Sequence, residues 1–319
     1  MKKARKKRLR ILVVIVALCI VGSVIWKVIR ANTKIPEYSL SDLSEPSYSG
    51  TEKVLNAISL SFFTYGCEQG TDVSGTVSEL LDRENMGILT ENYGIVRTDK
   101  SDPATALFDT SDFIRNQVGN FRFLCELRND TSSFYGVAFC DDEKKCVWIA
   151  YCGSVSTMDA VACVGLVLKP GLTSQEKSAF KLFEAVLESD EVKNRSYCIL
   201  LTGHSLGGAF ASMVSRVSGC EAVTVNGANG LGIDKINSIL NETPKEYHIS
   251  NHMTSPKNSR FSLMDAVQRF IFLGSYKDVE CHIYHENGFT YDPHCAFSFV
   301  KFRNEDFTEP FIPEEIVER

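Results

Sequence analysis

The segment CILLTGHSLGGAFASMVSRVSG, residues 198–219, constrains the fold more than any other stretch of the chain. Cys198 to Thr202 form a largely apolar run of strand length, and the residues after Gly208 are the small and apolar types of a buried helix. Only a few residues remain to turn the chain between them, so strand and helix must nearly touch. Residues two positions either side of the bend must then lack bulk. Gly203 and Gly207 meet that need around Ser205, and Gly208 lets the helix lie against a sheet. Such a bend strains the backbone of Ser205 and lifts its hydroxyl above the sheet edge. It also aims the N–H of Leu206, at the positive end of the helix, at any negative charge developing there. A serine hydroxyl is a poor nucleophile unless a base takes its proton and donors await the oxyanion. A glycine-rich turn with a passive serine is the plainer alternative; the apolar lead-in and the full GHSLGG favour a nucleophile. His204, inside the bend, is read as packing.

The rest of the domain alternates strands and helices. SSFYGVAFC and KCVWIAYCG, joined by the charged DDEKK, read as a β-hairpin. SQEKSAFKLFEAVLESDEV reads as an amphipathic helix capped by Ser174, and the helix after Ser205 should end at Gly219. EAVTVNGANG, EYHISN, VECHIYHENG and FSFVKF supply further strands, and ACVGLVLKPG one more at 162–171. This alternation predicts an α/β fold, a mostly parallel central sheet with helices on both faces. VLNAISLSFF, VSELLDREN and DFIRNQVGNF have helical spacing, so residues 51–130 are either a helical cap over the site or a flank of the sheet. VSTMDAVACVG is open to two readings, a lid over an acyl pocket or the approach to the next strand.

The first ten residues carry seven Lys or Arg and no acid, and residues 11–26 carry no charge at all. Residues 11–29, with Lys27 able to snorkel, would span roughly 28 Å at about 1.5 Å per residue, close to one bilayer core. The exit lacks a clear small-residue cleavage pattern. The expectation is therefore a basic cytoplasmic segment (1–10), a transmembrane anchor (11–29), a linker that lifts the domain off the membrane (30–50), and a domain outside (51–319). Without residues 1–30, 25 basic residues stand against 40 acidic ones, a formal charge of −15. That balance argues against nucleic acid as a partner. Ten cysteines lie beyond the anchor. Several sit in apolar strand-like runs, where a buried thiol is the plain reading. Cys140 and Cys146, flanking the hairpin turn, are the best candidates for a disulfide. No C-x-x-C zinc pattern is present, and His282 and His285 fall on opposite faces of an extended run, so no metal or organic cofactor is expected.

GHSLGG in this setting resembles the class 3 (fungal lipase-like) lipases of the α/β-hydrolase superfamily, including their bacterial relatives. VWIAYCGSVSTMDAV, residues 147–161, is similar to that family's strand ending in R-G-T or R-G-S with a D-W beyond it. Gly153 and Ser154 match the G-T/S pair and Asp159 the aspartate. Cys152 stands where the arginine would be, and Ala160 where the tryptophan would be. NGANG resembles the family's F-N-G-P-G. The resemblance covers roughly residues 130–300. It implies an α/β-hydrolase fold and an oxyanion hole to which Ser154 contributes its backbone and hydroxyl.

Chain order in that superfamily puts the acid and then the histidine after the serine. His294, in the late loop FTYDPHCAFSF, is where the family places its histidine; His285 and His252 are the alternatives. Asp265, in LMDAVQRF, resembles the family's D-x-V-P-R-L. Asp278 is the alternative acid, Asp234 a weaker one, and Asp292 lies too near His294 to orient it. The expected activity is hydrolysis of carboxylic esters, including lipids, through an acyl-enzyme on Ser205. The alternative, motivated by the missing arginine, the displaced acid and the many cysteines, is an inactive hydrolase fold serving as a surface binding or scaffold module.

Overall fold

Among the described residues, seven strands lie side by side in the order in which the chain makes them. β1 (Arg122–Asn129), β2 (Phe134–Asp141) and β3 (Cys146–Tyr151) form an antiparallel meander. β4 (Cys198–His204), β5 (Glu221–Val225), β6 (Ile249–Thr254) and β7 (Glu280–Tyr284) then continue parallel to β3. β8 (Lys301–Phe302) and β9 (Pro310–Phe311) form a separate antiparallel pair. The helices are α1 (Gly50–Gln69), α2 (Val77–Leu81), α3 (Thr110–Val118), α4 (Ser174–Leu187), α5 (Asp190–Lys193), α6 (Leu206–Ser218) and α7 (Asn229–Ile239). The structure is a computed structural model; it describes residues 21–25, 27–29, 32–40, 43–69, 73–83, 110–153, 171–240, 248–254, 279–284, 301–302 and 310–312.

The strand order decides where the helices go. Parallel crossovers are right-handed in nearly all proteins, so strands added always on the same side send every crossover helix to the same face. Phe180 of α4, Phe210 of α6 and Ile233 of α7 accordingly share one core with Ile149 and Leu201. The other face would be bare. It is covered by α1, whose Ile58, Leu60 and Phe63 pack with Val137, Trp148, Leu200 and Val223. Residues 54–67 of α1 are buried without a break, as expected of a helix apolar around its whole circumference. Its polar members are satisfied locally or by the sheet: Ser59 donates to the Leu55 carbonyl, and Ser61 lies 3.0 Å from the Thr202 hydroxyl. Arg128 closes the helix C-terminus, donating to the carbonyls of Cys67 and Glu68. Of the two roles open for residues 51–130, the described part fills that of a flank.

Three sequence expectations need correction. The amphipathic helix α4 is capped by Thr173, not Ser174: the Thr173 hydroxyl accepts from the Glu176 N–H, and the Glu176 carboxylate accepts from the Thr173 N–H. Cys140 and Cys146 do not pair. Both are free thiols, and the hairpin register sets Asp141 against Cys146, so the two cysteines face opposite sides of the sheet. Burial also pushes the Cys140 thiol up to about 12, and Cys146 well above its usual range. Finally, the described part of the linker is not a free spacer. Ile35, Tyr38, Leu40 and Leu43 pack on the α4 side of the domain, because apolar side chains spaced along it find that surface.

Residues 21–25 and 27–29 are helical, with Val21, Val24, Ile25, Val28 and Ile29 exposed. Among the described residues no helix is long and apolar enough to cross a membrane. Residues 1–20 and the stretch 162–170 lie outside those described.

Candidate active site

β4 is buried along its whole length and delivers the chain to Ser205 at its C-terminal end. Ser205 has φ 55° and ψ −121°, a conformation that costs a non-glycine residue on the order of 1–3 kcal/mol. α6 starts at the very next residue, so the N–H of Leu206 is one of the four first-turn donors that have no intrahelical acceptor. Ser205 is half-buried, whereas Leu206 to Ser218 are buried. The closeness of strand and helix is absolute: a Cβ on Gly203 would sit 2.3 Å from the carbonyl carbon of Gly207, and one on Gly207 would sit 2.0 Å from the Tyr151 carbonyl oxygen. Any side chain at either position would push α6 off the ends of β3 and β4.

Two neighbouring strands hold the bend. The Ser205 carbonyl accepts from Ala228 N–H at 2.9 Å and from Gly208 N–H at 3.1 Å, which ties the β5–α7 loop to the elbow. That loop is fixed in turn by Asn251 of β6, whose side chain accepts from the Gly227 N–H at 3.0 Å and donates to the Gly227 carbonyl at 3.2 Å. Asn229 donates to Thr224 at 2.7 Å. Asn251, Asn229 and Thr224 are fully buried, and of their side-chain polar atoms Asn229 Oδ1 alone has no hydrogen-bond partner among the described residues.

On the other side, Gly153 follows the end of β3 and lies against His204: a Cβ there would fall 2.7 Å from the His204 carbonyl and 2.0 Å from the Tyr65 hydroxyl. Tyr65, near the end of α1, lies 2.8 Å from His204 Nδ1. His204 therefore turns toward α1, away from the α6 side of the sheet, and Tyr65 braces both the elbow and the start of the loop that leads to Ser154. Cys152 is buried there, with its N–H donating to the Tyr135 carbonyl.

The structure thus brings together Gly203, Ser205, Leu206, Gly207 and the Gly153 end of β3. Ser154, Asp159, Asp265, Asp278, His285, Asp292 and His294 lie outside the described residues, as does the lid candidate 155–165. Two further candidates are described. His252 Nδ1 is 2.9 Å from the Tyr284 hydroxyl, and its ring stacks on His282 with centroids 4.4 Å apart. Burial, with a smaller contribution from His282, lowers its pKa to about 3. A ring so held is a weak base near neutral pH, and its described partner is a phenol rather than a carboxylate. Asp234 lies within helix α7, half-buried, rather than in a loop after β5. His248 sits before β6 begins, at the sheet end opposite Ser205, beside Glu280. Among the described residues no group of His, Cys, Asp and Glu has the arrangement of a metal site.

Sequence reasoning missed Tyr65, Asn251 and Asn229. Asn229 alone carried a local signal, through NGANG; the other two reach the site from 139 and 24 residues away from their partners.

Comparison with known proteins bears on this same region. Residues 148–218, from β3 through α6, match the Lipase (class 3) family model. No curated protein is similar enough to count as a relative. Among solved structures, lipase II from Rhizopus niveus shares 15% identity over 45% of this chain and 61% of its own, with a TM-score of 0.33. The mono- and diacylglycerol lipase from Aspergillus oryzae shares 16% over 66% and 73%, with a TM-score of 0.37. A triacylglycerol lipase from Penicillium expansum shares 14% over 83% and 91%, also at 0.37.

Proposed function

We propose that the chain is a serine hydrolase of carboxylic esters, lipids among them, held to a membrane by residues 11–29 with its domain outside the cytoplasm. Ser205 Oγ attacks the ester carbonyl, and His294 takes its proton. Asp265 orients the imidazole and steadies its charge. The Leu206 N–H, with Ser154, receives the oxyanion. His294 then protonates the leaving alcohol, and water, activated by the same ring, releases the acid and regenerates Ser205. The reaction requires no cofactor of the protein.

The observation that carries this reading is the backbone of Ser205. A strained serine between a buried strand and a helix N-terminus, clamped by two glycines, has the backbone expected of a nucleophile. The class 3 lipase match over residues 148–218 supports the assignment of Gly153–Ser154 to the oxyanion side. The test is turnover of p-nitrophenyl esters of graded acyl length by the purified chain and by Ser205→Ala. Loss of at least 10³-fold on substitution is expected. A folded protein whose turnover is the same with and without the Ser205 hydroxyl would leave the binding-module reading instead.

A further inference from the structure

The strap formed by residues 33–40 and 43–49 fixes where the apolar helix leaves the domain. Its course can be followed by its contacts. Tyr48 donates to Asp141 at the end of β2, and Ser44 donates to the Ser196 carbonyl just before β4, both at the end of the sheet opposite Ser205. Tyr38 packs edge-on against Phe183 at 4.9 Å and donates to Glu184, both in the C-terminal third of α4. Thr33 and Ile29 then lie over Gly171, just before α4: a Cβ on that glycine would be 2.7 Å from the Thr33 hydroxyl and 3.4 Å from Ile29 Cγ2.

The start of α4 is at the Ser205 end. Gln175 donates to the Ser132 carbonyl in the β1–β2 turn, that turn adjoins the C-terminal end of β3, and Tyr151 there pairs with Gly203 of β4. The exposed apolar residues Val21, Val24, Ile25, Val28 and Ile29 therefore emerge from the same end of the sheet as Ser205. Between this helix and α4 runs a groove of about 780 Å³ with an apolar floor that includes Phe180 and Leu172. Lys34, Lys177 and Lys181 line it and are exposed, against one exposed acid, Glu184, a locally basic edge on a domain that is otherwise acidic. Residues 11–20 continue the apolar run, and seven basic residues precede it. Apolar floor, lysine edge and emerging apolar helix together match the interface of a bilayer containing anionic phospholipid.

We infer that the Ser205 end of the domain, with the start of α4, is the surface that rests on the membrane holding residues 11–29, so that the serine acts on lipid esters of its own bilayer. The substrate statement rests on the hydrolase reading above, and the surface on the membrane anchor proposed there for residues 11–29. The experiment places the full chain in nanodiscs of phosphatidylcholine with phosphatidylglycerol and compares it with a chain carrying twenty Gly/Ser residues inserted after Asn32. A water-soluble amine-acylating reagent then footprints the lysines, read by mass spectrometry.

Labelling of Lys177 and Lys181, relative to Lys145 and Lys193 at the opposite end, is expected to be at least five-fold lower in the native chain. Equal labelling of the two chains, protection of Lys145 and Lys193 instead, or failure to co-purify with nanodiscs would each overturn the surface. A second arm offers a fluorogenic long-chain lipid ester in the same vesicles as the enzyme or in separate ones. At least ten-fold preference for the same vesicle is expected, and equal rates would overturn the statement about substrate. No turnover of any ester with the lysines still protected would sink the hydrolase reading alone.

Discussion

Ser205 can be strained only because its surroundings over-determine it, and the residues that do so act through ordinary contacts. Tyr65 is the clearest. Its hydroxyl meets His204 Nδ1 at 2.8 Å in a buried setting and lies under Gly153. Tyr65→Phe should cost about 1–3 kcal/mol of stability, the price of a buried polar atom losing that partner, and should lower kcat through a looser elbow. Urea unfolding and ester turnover measured together will show both. His252 makes a separate prediction. Its folded pKa is lowered to about 3 from 6.5, so below pH 6.5 the unfolded chain binds a proton that the fold refuses. Stability from this residue is complete above pH 6.5 and drains away as pH falls toward 3, at about 1.4 kcal/mol per unit. From pH 7 to pH 5 the native protein should lose about 2 kcal/mol more than His252→Gln does. Equal slopes would show that His252 is not held neutral.

At the scale of elements, the chain's local grammar was easy to read and its long-range pairing was not. The β2–β3 hairpin, the β4–α6 bend and the end of α6 at Gly219 all follow from patterns a few residues wide. α1 gave less away, since a helix buried on every side has no apolar stripe to point to a partner. Its job follows from strand order, which no local pattern encodes. The cap of α4 was misread by one residue because Thr173 and Ser174 are both good caps; the position of Glu176 three residues on selects Thr173. Glu176 does more than cap. It is fully buried and lies 3.6 Å from Lys235 of α7, whose side chain is also buried, so it links α4 to α7 across the helical face. Glu176→Ala removes the cap bond and leaves that ammonium without this carboxylate. A loss of about 3–5 kcal/mol is expected, measured as a shift in the urea midpoint.

At the scale of the molecule, two faces of one sheet divide the work. The crossover helices on one face hold the elbow from behind, and α1 on the other braces it from below, so that β4 ends in a bend with nowhere to relax. The bend at Ser205 and the glycines around it were legible in the sequence because their geometry is local. The base and the acid were assigned through family resemblance, since a histidine about ninety residues downstream leaves no mark on local spacing. The proposed hydrolysis therefore depends on one alcohol made reactive by its backbone. Its most direct test is peptide mapping after treatment of the full chain with a fluorophosphonate. A single phosphonyl adduct is expected on the peptide containing Ser205, absent after heat denaturation and absent in Ser205→Ala. No adduct on the native chain, or an adduct that persists in Ser205→Ala at the same rate, would contradict it.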